Sequence, residues 1–201
     1  MVEAEIFPKP FAPGFFGWSR YLPEIKIECH STVVQDGKFL VLIDPLEISP
    51  GDCEAMKQLG EPTAILLTNG NHARGALILK KRFNIPIGSA AEAVKELGFI
   101  PDFVLNDIPR FHGLEPKPLP GGGAGETALY HSKSKTLIFG DAVVHLTTGK
   151  PELLPDKYCY DPAQLKASLR TLANLPVENL VFAHGAPLLK RAAAALKNLM
   201  T

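Results

Sequence analysis

The chain has 201 residues, of which 46% are hydrophobic and 21% are charged, a composition typical of a globular protein with a sizeable core. Its 21 Lys and Arg balance its 21 Asp and Glu, which argues against a nucleic-acid groove or an anionic membrane surface as the main partner. Three cysteines without CxxC spacing argue against a disulfide framework and a zinc ribbon. Glu3 and Glu5 stand where a signal peptide would be basic, and no apolar run approaches the ~20 residues that span a bilayer, so we expect a cytoplasmic protein.

Residues 1–21 include an aromatic and proline-rich stretch, FPKPFAPGFFGWSRY. Leaving so many rings in water would forfeit much burial energy, so we expect this segment to pack on the body of the domain and to wall a pocket. The alternative is a surface for a homodimer or another partner. No Gly/Ser-rich or charged linker divides the chain, and the sequence predicts one domain over residues 1–201.

The first half of the chain predicts strands alternating with helices. Asp52 is expected to cap a helix that runs to residue 59. Asn71 is expected to cap a second helix, from His72 to about residue 83, and Ser89 opens a capping-box pattern for a third. The predicted strands cover residues 25–34, 38–44, 63–68 and 85–88.

The second half repeats the same alternation. Strands are predicted at 103–106, 127–132, 136–140 and 179–183, and a weaker strand at 115–119 contains two prolines and therefore must lie at a sheet edge. Asp161 followed by Pro162 predicts the start of a helix that runs to about residue 174, and residues 187–200 predict a closing helix. Mixed connections between two strand-rich halves favour two mixed β-sheets faced by outer helices.

Several loops at predicted strand ends carry side chains suited to chemistry, and strand ends are where functional residues concentrate. The sequence LLTNGNHARG, residues 66–75, holds two asparagines, a histidine and an arginine but no acid. Three glycines at 121–123 could form a flexible loop or an anion-binding nest of backbone amides. The candidate site residues are Asp44, Asn69, Asn71, His72, Arg74, Gly122, Asp141 and His184.

The order of these motifs, from about residue 25 to the end, resembles the metallo-β-lactamase fold superfamily of metal-dependent hydrolases. The resemblance implies a four-layer αββα sandwich and a two-metal site. The family cluster, His-x-His-x-Asp-His after a Thr, aligns with the segment that follows Thr68. Here the chain departs from the pattern, because asparagine, alanine, arginine or glycine stands at five of the seven ligand positions: Asn69, Asn71, Ala73, Arg74 and Gly122.

The two family ligands that remain are Asp141 of the GD turn and His184 of the final motif. Two ligands are too few for tight zinc binding, which takes three or four His, Cys or carboxylate groups. We therefore expect no cofactor, with zinc or another divalent metal at low occupancy and His72 as an extra ligand in that case. A buried Asp141 without metal needs another positive partner, and we expect Arg74 to pair with it.

Three functions remain open at this stage. The first is a metallo-β-lactamase-fold protein that has lost most of the dinuclear site and binds a small polar or anionic ligand. Asp141, His184, His72 and Arg74 would act on that ligand, and Asn69, Asn71, Gly122 and Asp44 would help to hold it. The second is an active hydrolase of esters, thioesters or lactones that uses one unusual metal or a histidine base. The third is a non-catalytic interaction module.

Overall fold

The computed structural model describes residues 9–146 and 149–199. Its elements follow the alternation that the sequence predicts. The strands of the first half are β1 Lys9–Ala12, β2 Phe15–Leu22, β3 Ile27–Asp36, β4 Phe39–Ile43, β5 Glu61–Leu66, β6 Ile87–Ser89 and β7 Phe103–Val104. Those of the second half are β8 Leu114–Pro118, β9 Thr127–His131, β10 Thr136–Phe139, β11 Val143–Val144, β12 Glu152–Leu153, β13 Asn179–Phe182 and β14 Leu188–Leu189. The helices are α1 Pro50–Leu59, α2 Ala76–Phe83, α3 Val94–Leu97, α4 Pro162–Arg170 and α5 Ala192–Leu199.

Two mixed sheets face each other. One has the order β1-β2-β3-β4-β5-β6-β7 and is antiparallel up to β4 and parallel from β4 to β7. The other has the order β14-β13-β10-β9-β8, with β10 and β13 parallel. Strand β8 lies at its edge, as its prolines predict. The short pair β11-β12 forms a third, two-stranded sheet.

Three apolar cores hold the layers together. The core between the sheets joins residues of both: Phe15, Val34, Val41, Ile43, Leu66, Leu114, Leu129, Ile138 and Val181. A second core seals α1 and α2 on the first sheet, and a third seals α4 and α5 on the second sheet. The predicted four-layer αββα sandwich is therefore confirmed. None of the helices in the described residues is long and apolar enough to cross a bilayer.

The aromatic N-terminal segment lies within the first sheet from residue 9 onward. Strands β1 and β2 form one edge of that sheet, and the rings of Phe15 and Trp18 are buried. Residues 1–8 of the predicted segment lie outside the described residues.

Four predicted helix starts are wrong, and one of them is the start of the closing helix, since Leu188–Leu189 form β14 and α5 begins at Ala192. Helix α1 is capped by Ser49, whose Oγ accepts the Asp52 N–H, because Pro50 occupies the first helical position. Ser89 ends strand β6 and donates its hydroxyl to the Ala90 carbonyl, so it does not cap a helix. The helix predicted from His72 begins only at Ala76 and follows a 3₁₀ turn over Gly70–His72.

Candidate functional site

Strand ends bring most of the predicted site residues to one edge of the sandwich. Asp44 follows β4 and Asn69 follows β5, which are parallel neighbours in the first sheet. Asp141 follows β10 and His184 follows β13, which are parallel neighbours in the second. The carboxyl ends of parallel strands meet at one edge, so the four residues come from opposite sheets to the same place.

His72 sits at the centre of this cluster. Its Nδ1 lies 2.9 Å from Oδ2 of Asp44, and its Nε2 lies 3.2 Å from Oδ1 of Asp141. The 3₁₀ turn over Gly70–His72 directs the buried His72 ring into the protein. The Asn69 side chain caps this turn by accepting the N–H of Asn71, so Asn71 is not the cap that the sequence predicts.

A second imidazole, that of His184, contacts the same carboxylate oxygen of Asp141 as His72 does. His184 Nε2 lies 3.0 Å from Oδ1 of Asp141. One ligand atom each from His72, Asp141 and His184 lie within 4.8 Å of one another. Burial opposes ionisation of Asp141, but the two histidines outweigh it and hold its pKa well below its ordinary value.

The carboxylates also control the protonation of His72. Burial lowers its pKa, and so does the nearby Arg74 guanidinium. Asp44 and Asp141 outweigh both effects and raise the pKa of His72 to about 9. Without metal, His72 is therefore an imidazolium held between two carboxylates at neutral pH. Burial likewise opposes charge on His184, but its contact with Asp141 raises its pKa overall.

The ion pair predicted between Arg74 and Asp141 is wrong. Nη1 of Arg74 donates to the backbone carbonyls of His30, at 2.8 Å, and Asp44, at 3.1 Å. Nη2 lies 3.4 Å from His184 Nε2, and across residues 9–146 and 149–199 Arg74 forms no ion pair. The backbone carbonyls hold the guanidinium, and His72 takes the place between the two carboxylates.

The backbone is strained at two of these residues. Asp44 has φ of 47° and Arg74 has φ of 34°, in the left-handed region that residues other than glycine rarely adopt. Such conformations cost about 1–3 kcal/mol each and persist where the surroundings determine them, most often at functional sites. At Asp44 the surroundings include the Thr68 N–H and hydroxyl, which both donate to the carboxylate.

Glu126 is a site residue that the sequence reasoning missed. Its Oε1 accepts the backbone N–H groups of Asp141 and Ala142, and its Oε2 accepts Nδ2 of Asn69 at 2.9 Å. The side chain is buried, and burial together with the Asp141 charge raises its pKa to about 8 against these donors. The available signal was an acid placed shortly after the triple glycine, in the sequence GGGAGE, and directly before a strand of buried residues, TALYH.

Glu126 also changes the interpretation of Asn69 and Gly122. A Cβ atom on Gly122 would lie 2.8 Å from Cγ of Glu126, so this glycine makes room for the glutamate. Asn69 is fully buried and binds Glu126. Neither residue lines the pocket, and the prediction that both help to hold a ligand there is not supported by their positions. Gly123 lines it instead.

A pocket of about 680 Å³ opens above the cluster. Its polar floor contains Asn71, His72, Arg74, Asp141 and His184, whereas Asp44 lies beneath His72 and does not reach it. Its walls are mostly apolar: Leu22, Ile25, Ile27, Val144, Leu146, Leu154, Pro155 and Tyr158. Leu22 belongs to β2 and comes directly after the predicted segment 1–21, and no residue from 9 to 21 lines this pocket.

Cys29 is a second residue that the sequence did not place in the site. An isolated β-bridge pairs Cys29 with His184, and the Cys29 Sγ lies 3.7 Å from His184 Nδ1. The bridge holds the two residues side by side, and the His184 ring has Nδ1 toward Cys29 and Nε2 toward Asp141. Cys29 follows a strand alternation that the sequence shows, but its neighbour comes from 155 residues further along the chain.

The family assignment follows from a match that covers nearly the whole chain. The sequence-family model of the metallo-β-lactamase superfamily matches residues 10–201 of this chain. The chain belongs to the metallo-β-lactamase superfamily. Its fold is similar to that of DIM-1 metallo-β-lactamase in a crystal exposed to ceftazidime, with 18% identity, a TM-score of 0.77 and coverage of 98% of this chain and 95% of that one.

Two further metallo-β-lactamase structures share the fold at low identity. The enzyme from Pontibacter korlensis is 16% identical, with a TM-score of 0.75 and 96% of each chain covered. FIM-1 from Pseudomonas aeruginosa in its mono-zinc form is 13% identical, with a TM-score of 0.74 and coverage of 96% of this chain and 93% of that one. At these identities the likeness shows the fold alone.

The residues do not fit the two-metal centre that the superfamily implies. Asn69 and Gly122, at two of the three ligand positions for the first metal, face Glu126. Ala73 offers no ligand for the second metal, and Arg74 brings a positive charge to the remaining position of the cluster. A single metal fits the donors better, since three groups converge at His72, Asp141 and His184.

Proposed function

We propose that the pocket binds a small molecule that has an anionic or strongly polar head and an apolar body, and that the two-metal hydrolysis of the superfamily is lost. The observation that carries the proposal is the Arg74 guanidinium, which lines the pocket floor and forms no ion pair with the described residues. Guanidinium binds carboxylate and phosphate oxygens through paired N–H donors, so an anionic head is the natural partner.

The walls support the second half of the ligand description. Eight of the lining residues are aliphatic, proline or tyrosine side chains: Leu22, Ile25, Ile27, Val144, Leu146, Leu154, Pro155 and Tyr158. Ile25, Leu146 and Tyr158 are among the exposed large hydrophobic residues of the protein. A ligand that covers them would gain about 25 cal/mol for each Å² of apolar surface removed from water.

The hydrogen bond from Asn69 to Glu126 supports the loss of two-metal chemistry. Glu126 accepts three N–H donors, at 2.9, 3.0 and 2.9 Å, where the superfamily pattern would place ligands of the first metal. Removing a metal leaves buried carboxylates in need of positive partners. Here His72 compensates Asp44 and Asp141.

Hydrolysis of an ester, thioester or lactone by one metal is the second candidate, favoured by the convergence of His72, Asp141 and His184 below the pocket. A bound divalent metal would polarise a carbonyl group and supply hydroxide near neutral pH. Arg74 would orient an anionic head, and the apolar walls would exclude water. A metal-free histidine base is less favoured, because the carboxylates keep His72 protonated at neutral pH.

The test compares octanoate with octanol, which share an apolar chain and differ in the charged head. Isothermal titration on chelator-treated protein should show octanoate binding that weakens at least tenfold in Arg74→Met, with octanol affected by less than twofold. Arg110→Met is the matched control, because Arg110 is exposed and paired with Glu115 away from the pocket. Equal octanoate affinity in wild type and Arg74→Met would contradict the proposal.

A further inference from the structure

We propose that His72, Asp141 and His184 form a binding site for one divalent transition-metal ion, in which His72 supplies a ligand that the superfamily cluster does not contain. Beyond the anion pocket, this inference adds a metal site on the pocket floor. Its three donors, two imidazole nitrogens and one carboxylate, come from the turn after β5, the turn after β10 and the turn after β13.

The donor spacing fits a shared ion. Oδ1 of Asp141 lies 3.2 Å from Nε2 of His72 and 3.0 Å from Nε2 of His184. Ligands bonded to zinc at about 2.0–2.1 Å in tetrahedral geometry lie about 3.3 Å from one another. The three ligand atoms all lie within 4.8 Å of one another, so the two imidazoles would close toward each other around a shared ion.

The Nε2 atom of His72 provides an independent observation. It is buried and has no hydrogen-bond partner, because the 3.2 Å contact with Asp141 lacks the alignment of a hydrogen bond. A buried polar atom without a hydrogen bond is rare in folded proteins, and a metal ion would satisfy it. No other histidine nitrogen in the described residues is both unpartnered and part of this cluster.

In each imidazole the nitrogen that points away from the cluster, Nδ1, has a neighbouring group of its own. Nδ1 of His72 binds Asp44, a carboxylate that fixes the tautomer with Nε2 toward the cluster. Nδ1 of His184 faces Cys29 Sγ, which leaves its Nε2 toward Asp141. A carboxylate partner such as Asp44 orients a ligating histidine and raises its basicity.

The remaining coordination positions would open into the pocket, since all three donors line it. Two histidines and one carboxylate with open positions suit zinc or ferrous iron. Arg74 limits the affinity, because its Nη2 lies 3.4 Å from His184 Nε2 and its charge opposes a cation. A second ion in the same cluster is excluded by donor count, since the described residues offer three ligands here.

The experiment titrates chelator-treated protein with Co²⁺ and records the visible absorption bands of the bound ion, followed by displacement with Zn²⁺. We expect one Co²⁺ per chain, at least tenfold weaker binding in His72→Gln and in His184→Gln, and unchanged binding in His145→Gln. His145 is the matched control because its Nδ1 binds the Ala186 carbonyl outside the cluster. Arg74→Met should bind Co²⁺ several-fold more tightly than wild type.

Absence of Co²⁺ bands in wild type at millimolar metal, or equal binding in wild type and His184→Gln, would overturn the proposal. His184→Gln decides the question if His72→Gln does not fold, since His184 lies nearer the pocket surface. The octanoate titration is performed without metal, so a failure of the metal site leaves the anion pocket standing. A failure of octanoate binding likewise leaves the Co²⁺ result intact.

Discussion

The Nδ1 atom of His72 lies 2.9 Å from Oδ2 of Asp44 at the bottom of the pocket, with both side chains buried. Asp44 also accepts the Thr68 N–H and hydroxyl, so its position is determined from several sides. This contact turns the free nitrogen of His72 toward Asp141. It is the relationship on which both the charge balance and the proposed metal site depend.

Replacing Asp44 by asparagine should destabilise the metal-free protein by about 3 kcal/mol, because it leaves the buried His72 imidazolium with one carboxylate instead of two. Urea unfolding measures the change. Glu54→Gln, on the exposed face of α1, is the control and should change stability by less than about 0.5 kcal/mol. A loss as small as that of the control would show that the buried contact contributes no net stability. The same variant should weaken Co²⁺ binding about 10- to 100-fold.

Two double-mutant cycles should separate the roles of His72 and Arg74. Coupling between His72→Gln and Asp141→Asn should reach about 1–3 kcal/mol, since the two side chains are in contact. Coupling between Arg74→Met and Asp141→Asn should stay below about 1 kcal/mol, because the guanidinium binds backbone carbonyls. A larger coupling energy with Asp141 for Arg74 than for His72 would show that Arg74 is the main partner of Asp141, as the sequence suggested.

The metal-free protein should lose stability as the pH rises from about 6.5 to above 9. The folded-state pKa of His72 is raised to about 9, whereas the unfolded value is about 6.5. A raised histidine pKa contributes stability that is fully present below the unfolded pKa and is lost as the pH passes the folded pKa. Glu126, with a pKa raised to about 8, acts in the same direction.

Urea unfolding at a series of pH values measures this dependence. His72→Gln should show a shallower decline above pH 6.5 and keep the parts that arise from His184 and Glu126, whose pKa values are also raised. A wild-type free energy of unfolding that stays level or increases between pH 6.5 and 9.5 would contradict the assigned charge on His72.

Restoring the first metal site should require four substitutions. Asn69→His, Asn71→His and Gly122→His together supply the superfamily ligands, but a side chain at position 122 would meet Glu126. We expect no second zinc in that triple variant, and a second zinc once Glu126→Ser is added. Zinc counts from elemental analysis, with the folded state of each variant checked by circular dichroism, decide between the outcomes. A second zinc in the triple variant alone would show that Glu126 does not block the site.

Much of the fold was predictable because hydrophobic alternation and turn residues report local structure directly. The strand ends at Asp44, Asp141 and His184, the edge strand with its prolines and the helix start at Asp161 all follow from such patterns. The alternation of elements favours two sheets faced by outer helices, and the resemblance of motif order specifies the four-layer αββα sandwich. Local signals therefore placed the functional loops at the right ends of their strands.

The internal geometry of the site was not predictable in the same way. Whether His72 points inward depends on a 3₁₀ turn that the Asn69 side chain caps, and a helical start was equally compatible with the sequence. Glu126 and Cys29 reach the site through contacts with residues 57 and 155 positions away. Contacts between residues so far apart leave no periodic trace in one sequence, and the same holds for the Arg74 contacts with His30 and His184, 44 and 110 residues away.

The most direct test of the account is the number of zinc ions that one chain holds. Chelator-treated protein equilibrated with excess zinc, freed of unbound metal and measured by native mass spectrometry should carry one zinc per chain. The count should fall to none in His184→Gln. Two zinc ions on the wild-type chain would contradict the account, because the described residues offer three ligands in the cluster and Glu126 holds Asn69 where the first metal would bind.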